Sequence, residues 1–359
     1  MAVEYEEIRQ KTADAGRVLL KSGLIVRTWG NISARVSEDT FVITPSGRGY
    51  EDLQAEDIIP VSIRDLSYSG DTKPSSEKAL HAYIYQHRPE VKFIIHTHQK
   101  YASALSVLGK IYPVGRILPE AVPVLGNYIP TAHYGLSSTK WLGRNVDRVA
   151  QAFSDSQAIL MQGHGAVCFG TDADSAFTVA KTLEEVVKKR YGSLAKDVLP
   201  PEFDQQYREQ DFYRIYHREN NDEYDEHYLV FSGNEEIGAV IDTQTPFLRR
   251  LSEYGHGMKV CIDDLAQMTG TSIACLPEDA SEKQIASALK ETRSAVLIRG
   301  KGAVCAGPDE DEAEAVCMVM EKNAMAALLG KTGAHIHGIQ PALGALEHFV
   351  YKTKYSKLK

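Results

Sequence analysis

The chain has 359 residues, 43% of them hydrophobic and 25% charged, enough for about two globular domains. That balance excludes a disordered chain, a collagenous chain and a small disulfide scaffold. A net charge of −8 argues against nucleic-acid binding, no apolar run reaches the ~20 residues of a membrane helix, and the charged N-terminal run lacks a signal-peptide core.

In chain order, residues 5–22 space Ile8, Ala13, Val18, Leu19 and Leu20 as a helix that ends at Gly23. Strands are predicted over 31–36 and 40–44, followed by the breakers Pro45, Gly47 and Gly49. Another strand is expected over 58–63, and Ser75 or Ser76 is placed to cap a helix running through Leu80, Tyr83 and Ile84 to Arg88. Pro89 stops that helix. Residues 91–95 read as a buried strand with His96 at its end, 159–167 as a further strand, and 174–190 as a helix. The run 199–226 is charged and tyrosine-rich without an apolar stripe, which marks a polar linker. Five cysteines without CxxC spacing read as free thiols of a reducing, cytoplasmic compartment.

The chain repeats itself. QAILMQGHGAVCFG at 157–170 returns as SAVLIRGKGAVCAG at 294–307, an offset of 137. Upstream, GAVIDTQTPFLR at 238–249 loosely echoes VKFIIHTHQKYA at 91–102. Aligned end to end, these runs set Thr243, Gln244 and Thr245 against His96, Thr97 and His98, and Lys301 against His164. The apolar pattern survives in the second copy while all three histidines are gone. The expected organisation is one full domain over 1–198, the linker over 199–226, and a degenerate repeat without the three histidines over 227–359.

An HxH pair on an extended strand puts both imidazoles on one face, because side chains alternate. His96 and His98, joined by His164 between Gly163 and Gly165, suit a divalent transition metal with an open position. The plainer reading, a chance HxH at a strand end, is weakened by the joint loss of all three in the second copy. Gly30-Asn31, Thr44-Pro45-Ser46-Gly47 and Ser75-Ser76 supply hydroxyls, an amide and backbone N–H groups of the kind that bind phosphate. Turns and a helix cap are the alternative for each of these. Glu77 follows in the first helical turn, where the dipole favours a carboxylate with or without a function.

The runs TWGNISAR, ITPSGRGYEDL, KPSSEKALHAYIYQHRPEVKFIIHTH and LMQGHGAV keep the order and spacing of the class II aldolase/adducin family, which the chain resembles over about residues 5–195. The resemblance implies an α/β fold: a three-layer α/β/α domain on a mostly antiparallel central sheet, followed by a partial, degenerate copy. It implies His96, His98 and His164 as ligands of a divalent metal, zinc first with manganese, cobalt or magnesium as alternatives. Glu77 becomes the general acid/base, and Asn31, Ser46, Gly47, Ser75 and Ser76 hold the substrate phosphate. The implied activity is that of a lyase, a metal-dependent aldolase that cleaves or forms a C–C bond in a small sugar phosphate through a metal-stabilised enediolate. Related 4-epimerases carry Asp at position 77, so Glu77 points to aldol chemistry. The alternatives are a 4-epimerase, dehydratase or decarboxylase on the same metal site, or a non-catalytic adducin-like binding protein.

One departure concerns residues 109–117, which lack the tyrosine that the aldolase pattern places near Ile117; Tyr112 and Tyr134 are the substitutes at hand. The family's usual tetramers imply a homo-oligomer with a sugar-phosphate substrate and no nucleic-acid or membrane partner. His335 and His337 form a second HxH without an evident third ligand, and His81 and His133 are further histidines placed near the first site.

Overall fold

The computed structural model describes residues 2–25, 29–292 and 294–355. Two compact units share the chain, one reaching Tyr191 and the other beginning at Gly192.

The first unit opens with helix α1 (Ala2–Lys21) and strands β1 (Gly30–Arg35), β2 (Thr40–Ile43) and β3 (Ile59–Ser62). Helix α2 (Lys78–His87) leads into β4 (Phe93–Thr97) and α3 (Lys100–Ser106). The short elements β5 (Tyr112–Pro113), α4 (Val122–Leu125), β6 (Tyr128–Ile129) and β7 (Thr131–Ala132) follow. Helix α5 (Lys140–Ala152), strands β8 (Ala158–Met161) and β9 (Gly165–Gly170), and the long α6 (Ala173–Ala195) complete the series.

Seven strands form one sheet in the order β3-β2-β1-β4-β9-β8-β7. All neighbours run antiparallel except the edge pair β7–β8, so the sheet is mixed. The apolar run Phe93-Ile94-Ile95 is buried throughout, as a central strand covered on both faces must be. Leu80, Ile84 and Tyr85 of α2 and Leu142 and Val146 of α5 join Ile94, Val167 and Phe169 in one core. Helices α1 and α3 cover the other side of the sheet.

The strand expected over 159–167 is two strands. Gly163, at φ +68°, turns the chain between β8 and β9, and His164 sits in that turn with its N–H on the Met161 carbonyl at 3.0 Å. The helix expected to be capped by a serine starts at Lys78 with Glu77 as its N-cap residue.

In the second unit, β10 (Tyr213–His217), α7 (Tyr228–Gly233), β11 (Ala239–Thr243) and α8 (Pro246–Ser252) come first. They are followed by β12 (Met258–Lys259), α9 (Asp263–Thr269), β13 (Ser272–Ile273), β14 (Cys275–Leu276) and α10 (Glu282–Thr292). Strands β15 (Ala295–Ile298) and β16 (Gly302–Gly307) and helices α11 (Glu310–Lys331) and α12 (Pro341–Val350) end it. The run 199–226 is therefore more than a linker: Tyr213–His217 is a sheet strand, because its half-buried residues pair with the apolar β11.

The five-stranded order β10-β11-β16-β15-β14 repeats β1-β4-β9-β8-β7, down to the parallel edge pair β14–β15. Among the described residues the second copy has no counterpart of β2 and β3, the hairpin that leads into Ser46 and Gly47. Its register corrects the alignment read from sequence by one residue. Thr97 lies opposite Ala166, and Thr243 lies opposite Ala303, so Thr243 corresponds to Thr97 at an offset of 146. Asp242 and Gln244 thus hold the places of His96 and His98. Lys301 does hold the place of His164, with its N–H on the Ile298 carbonyl at 3.0 Å. Adding a side chain at Gly165 would bring its Cβ within 2.2 Å of the Thr97 carbonyl, and at Gly302 within 2.1 Å of the Thr243 carbonyl, so both hairpins need glycine where they close on the central strand.

One helix-capping carboxylate recurs as well. Glu184 of α6 accepts from the N–H groups of Tyr101 and Ala102 at 2.7 and 3.1 Å, at the start of α3. Glu321 of α11 accepts from Phe247 and Leu248 at 3.1 and 2.8 Å, at the start of α8. These carboxylates take up N–H groups that a helix start leaves unpaired. Glu321 also accepts from the Thr245 hydroxyl at 2.8 Å and is fully buried. Glu321→Ala is expected to cost about 3 kcal/mol or more, since several buried donors lose a charged acceptor together. Urea denaturation checks this, and a loss below about 1 kcal/mol would remove the cap from the stability of the second unit.

Candidate metal centre

Strand β4 delivers His96 to the face shared with α2 and α5, and His98 follows just beyond the strand end. The β8–β9 turn brings in His164. All three are buried, and one nitrogen from each lies within 4.8 Å of the others, the single such group of three among the described residues. His96 Nδ1 donates to the Ala166 carbonyl at 2.9 Å, which leaves its Nε2 as a lone pair. That Nε2 meets His98 Nε2 at 2.9 Å and His164 Nε2 at 3.1 Å. The β4 neighbour on the other side, β1, sets Asn31 directly opposite His96.

Glu77 completes the cluster from the N-cap of α2. Its Oε2 lies 3.2 Å from His96 Nε2, and its Oε1 lies 3.2 Å from His164 Nε2. Burial pushes the Glu77 carboxyl up, but the adjoining His96, His164 and His98 outweigh burial and hold it well below the usual carboxylate range. Burial lowers the His96 imidazole to about 3 against the pull of Glu77, so that ring is neutral. Three nitrogen donors converging beside a carboxylate, all of them buried, fit a divalent cation. Tetrahedral ligands of zinc stand about 3.3 Å apart, a few tenths of an ångström beyond the 2.9 and 3.1 Å separations of the three rings.

The residues read as phosphate ligands come from three segments of the chain. Ser46, Gly47, Ser75 and Ser76 lie together, because Pro45 and Pro74 bridge their two segments. The Ser46 N–H goes to the Lys73 carbonyl and the Ser75 N–H to the Thr44 carbonyl, while Ser76 Oγ meets Ser138 Oγ at 2.7 Å. Ser75 Oγ accepts from the Glu77 N–H at 3.3 Å. Asn31 comes from β1, whose next residue, Ile32, donates its N–H to the Thr44 hydroxyl at 3.3 Å. Asn31 Nδ2 donates to Glu77 Oε2 at 2.9 Å, and its Oδ1 meets His81 Nε2. The sequence reading missed this pairing, although Asn31 and Ser33 at i, i+2 on a strand and Glu77, His81 and Tyr85 at i, i+4, i+8 carry its periodicity.

Of the two tyrosine substitutes, Tyr112 is buried with its hydroxyl on the Leu105 carbonyl at 3.2 Å, and Tyr134 packs its ring on Trp141. His133 is exposed, and His335 and His337 touch edge to face, outside any cluster of three ligands among the described residues.

The second copy has rebuilt the corresponding place. His227 takes the N-cap position of α7, as Glu77 does on α2, and its Nε2 lies 3.0 Å from Asp242 Oδ1. The carboxylate–imidazole pair Glu77–His96 has become an imidazole–carboxylate pair with the partners exchanged.

A mixed sheet that gathers three imidazoles and a carboxylate at the end of its central strand defines an α/β protein with a three-histidine cluster suited to a metal and an internal repeat. The chain belongs to the family described as Class II Aldolase and Adducin N-terminal domain, whose model matches residues 10–191 and again 198–328. A 5-deoxy-D-ribulose 1-phosphate aldolase of Bacillus thuringiensis serovar kurstaki is 31% identical over 177 residues, 49% of this chain and 80% of that one. Among solved structures, an L-fuculose 1-phosphate aldolase is similar at 28% identity and TM-score 0.48, over 53% of this chain and 87% of that one. An L-fuculose-1-phosphate aldolase from Thermus thermophilus is similar at 26% identity and TM-score 0.44, over 54% and 98%.

Proposed function

We propose that this chain is a metal-dependent class II aldolase that breaks or forms a C–C bond in a small sugar phosphate, with its chemistry in the first unit. The observation that carries this reading is Glu77, held 3.2 Å from both His96 Nε2 and His164 Nε2 in a cluster suited to a cation. The family membership and the aldolase relative support it.

His96, His98 and His164 would hold the metal, zinc being the favoured ion. When bound, the cation supplies Lewis-acid polarisation of the substrate's ketone and hydroxyl oxygens. Glu77 removes the proton that cleavage sets free and returns one to the reacting carbon, as an ionised carboxylate within hydrogen-bond reach can. Asn31 fixes the Oε2 edge of that carboxylate. The hydroxyls of Ser46, Ser75 and Ser76, with Gly47 and the first turn of α2, form the anchor for the phosphate. Because the chain as a whole is acidic, this local anchor must capture the anion.

The second copy has Asp242, Gln244 and Lys301 in place of the ligands and, among the described residues, no β2–β3 hairpin, so it supplies neither half of such a site. Its part is that of a structural neighbour in a homo-oligomer, which light scattering tests: a purely monomeric mass would overturn it. No helix among the described residues is long and apolar enough to cross a membrane.

The test of the reaction is a panel of ketose 1-phosphates, including 5-deoxy-D-ribulose 1-phosphate and L-fuculose 1-phosphate, offered to zinc-loaded protein. Release of dihydroxyacetone phosphate is expected. Re-equilibration of a pentulose phosphate without cleavage would replace the reading with epimerisation, and failure to bind any divalent metal would overturn it altogether.

A further inference from the structure

Behind Glu77 a chain of buried polar groups runs away from the metal centre. His81 and Tyr85 follow Glu77 along one stripe of α2, and Asn31 and Ser33 face them from β1. Ser33 Oγ lies 2.7 Å from His81 Nδ1 and 2.8 Å from the Tyr85 hydroxyl. His81 and Ser33 are fully buried, Tyr85 is 2% exposed and Asn31 4%.

We propose that His81, fixed by Ser33 and Tyr85, is a positioning residue that locks the Asn31 side-chain amide with its Nδ2 toward Glu77. The proposal rests on the reading of Glu77 as the acid/base group, and it adds how that group is aimed.

The hydrogen-bond sense admits one consistent arrangement. A carboxylate at Glu77 accepts only, so Asn31 must present its NH2 there at 2.9 Å and turn its oxygen to His81. That oxygen accepts, so His81 carries its proton on Nε2. Its Nδ1 is then a lone pair, which takes the Ser33 hydroxyl proton. Having given its one hydrogen away, Ser33 receives the Tyr85 hydroxyl proton. Every donor in the row finds an acceptor, and reversing any member would set two acceptors or two donors face to face inside the core, at a cost no surface network would carry. Burial also lowers the His81 imidazole to about 4, which keeps the ring neutral, as the arrangement requires.

The internal repeat supplies an independent comparison. By strand register, Arg214 and Tyr216 occupy the places of Asn31 and Ser33. Four residues beyond the N-cap His227 stands Phe231, buried where His81 would be. The whole row has gone from the copy that also lost the three ligands, while the apolar positions around it persist. A network needed only for folding would have no reason to disappear with the histidines.

The first test needs neither metal nor substrate. Nitrogen-15 NMR of the metal-free protein, with His81→Gln to assign the signal, is expected to show a neutral ring protonated on Nε2. A ring protonated on Nδ1, or doubly protonated at neutral pH, would overturn the proposal.

The second test uses zinc-loaded enzyme. His81→Leu should keep its metal and KM but lose about 10- to 100-fold in kcat, the scale seen when groups behind a metal-site residue are removed. His81→Gln, whose amide offers a donor and an acceptor, should recover most of that loss. In an Asn31→Ala background, His81→Leu should cost nothing further, because His81 acts through Asn31. Equal and additive losses in both backgrounds, or losses that track thermal stability alone, would overturn the proposal. If wild-type protein cleaves no sugar phosphate yet shows the Nε2-protonated ring, the aldolase reading fails while the positioning row stands.

Discussion

Glu77→Gln is expected to retain its metal and its fold while turnover falls by about two to four orders of magnitude, the usual contribution of a placed acid/base group. Glutamine keeps the length of the side chain and an acceptor oxygen for Asn31 Nδ2, so the cluster stays assembled. What it cannot do is take or return a proton. The wild-type carboxyl is held well below its ordinary range by His96, His164 and His98, so it is ionised at neutral pH and ready to act as a base. The measurement is kcat on whichever ketose phosphate the panel identifies, with metal content by elemental analysis beside it. Full activity in a metal-replete variant would remove Glu77 from its role, and loss of the metal would recast it as a ligand.

His164→Lys is the second large effect, and the chain has already made the same exchange at Lys301. The hairpin tolerates it: the N–H of His164 and that of Lys301 reach the Met161 and Ile298 carbonyls at the same 3.0 Å. A lysine ammonium has no lone pair to give a cation, and near Glu77 it forms an ion pair instead. The variant is therefore expected to fold with an unchanged circular dichroism spectrum, bind no stoichiometric divalent metal and lose activity to background. Stoichiometric zinc in the purified variant would show that His164 is not a ligand.

Much of the centre is legible in the sequence. An HxH at the end of an apolar run constrains its own geometry, because neighbours two apart on a strand must share a face. Glycines on both sides of His164 mark a tight approach of backbone, and the repeat supplies its own contrast by dropping the histidines. The limits of legibility are just as specific. Aligning the copies end to end pairs His96 with Thr243, whereas register pairs it with Asp242, since one residue of slip in a weakly similar run leaves the apolar count almost unchanged. Asn31 reads as a candidate phosphate ligand by its amide, and its contacts with Glu77 and His81 stay hidden because those residues lie 46 and 50 positions away along the chain.

By itself, then, the sequence determined that the chain repeats one apolar pattern and that the three histidines belong to one copy alone, because composition and local periodicity act over a few neighbouring residues. Only the tertiary structure decided which groups meet. Strand register set Asp242, Gln244 and Lys301 at the places of His96, His98 and His164, and among the described residues the second copy has no counterpart of β2 and β3. Packing of α2 on β1 turned Asn31 toward Glu77. Such pairings depend on contacts between distant segments, whose partners are fixed when the core closes.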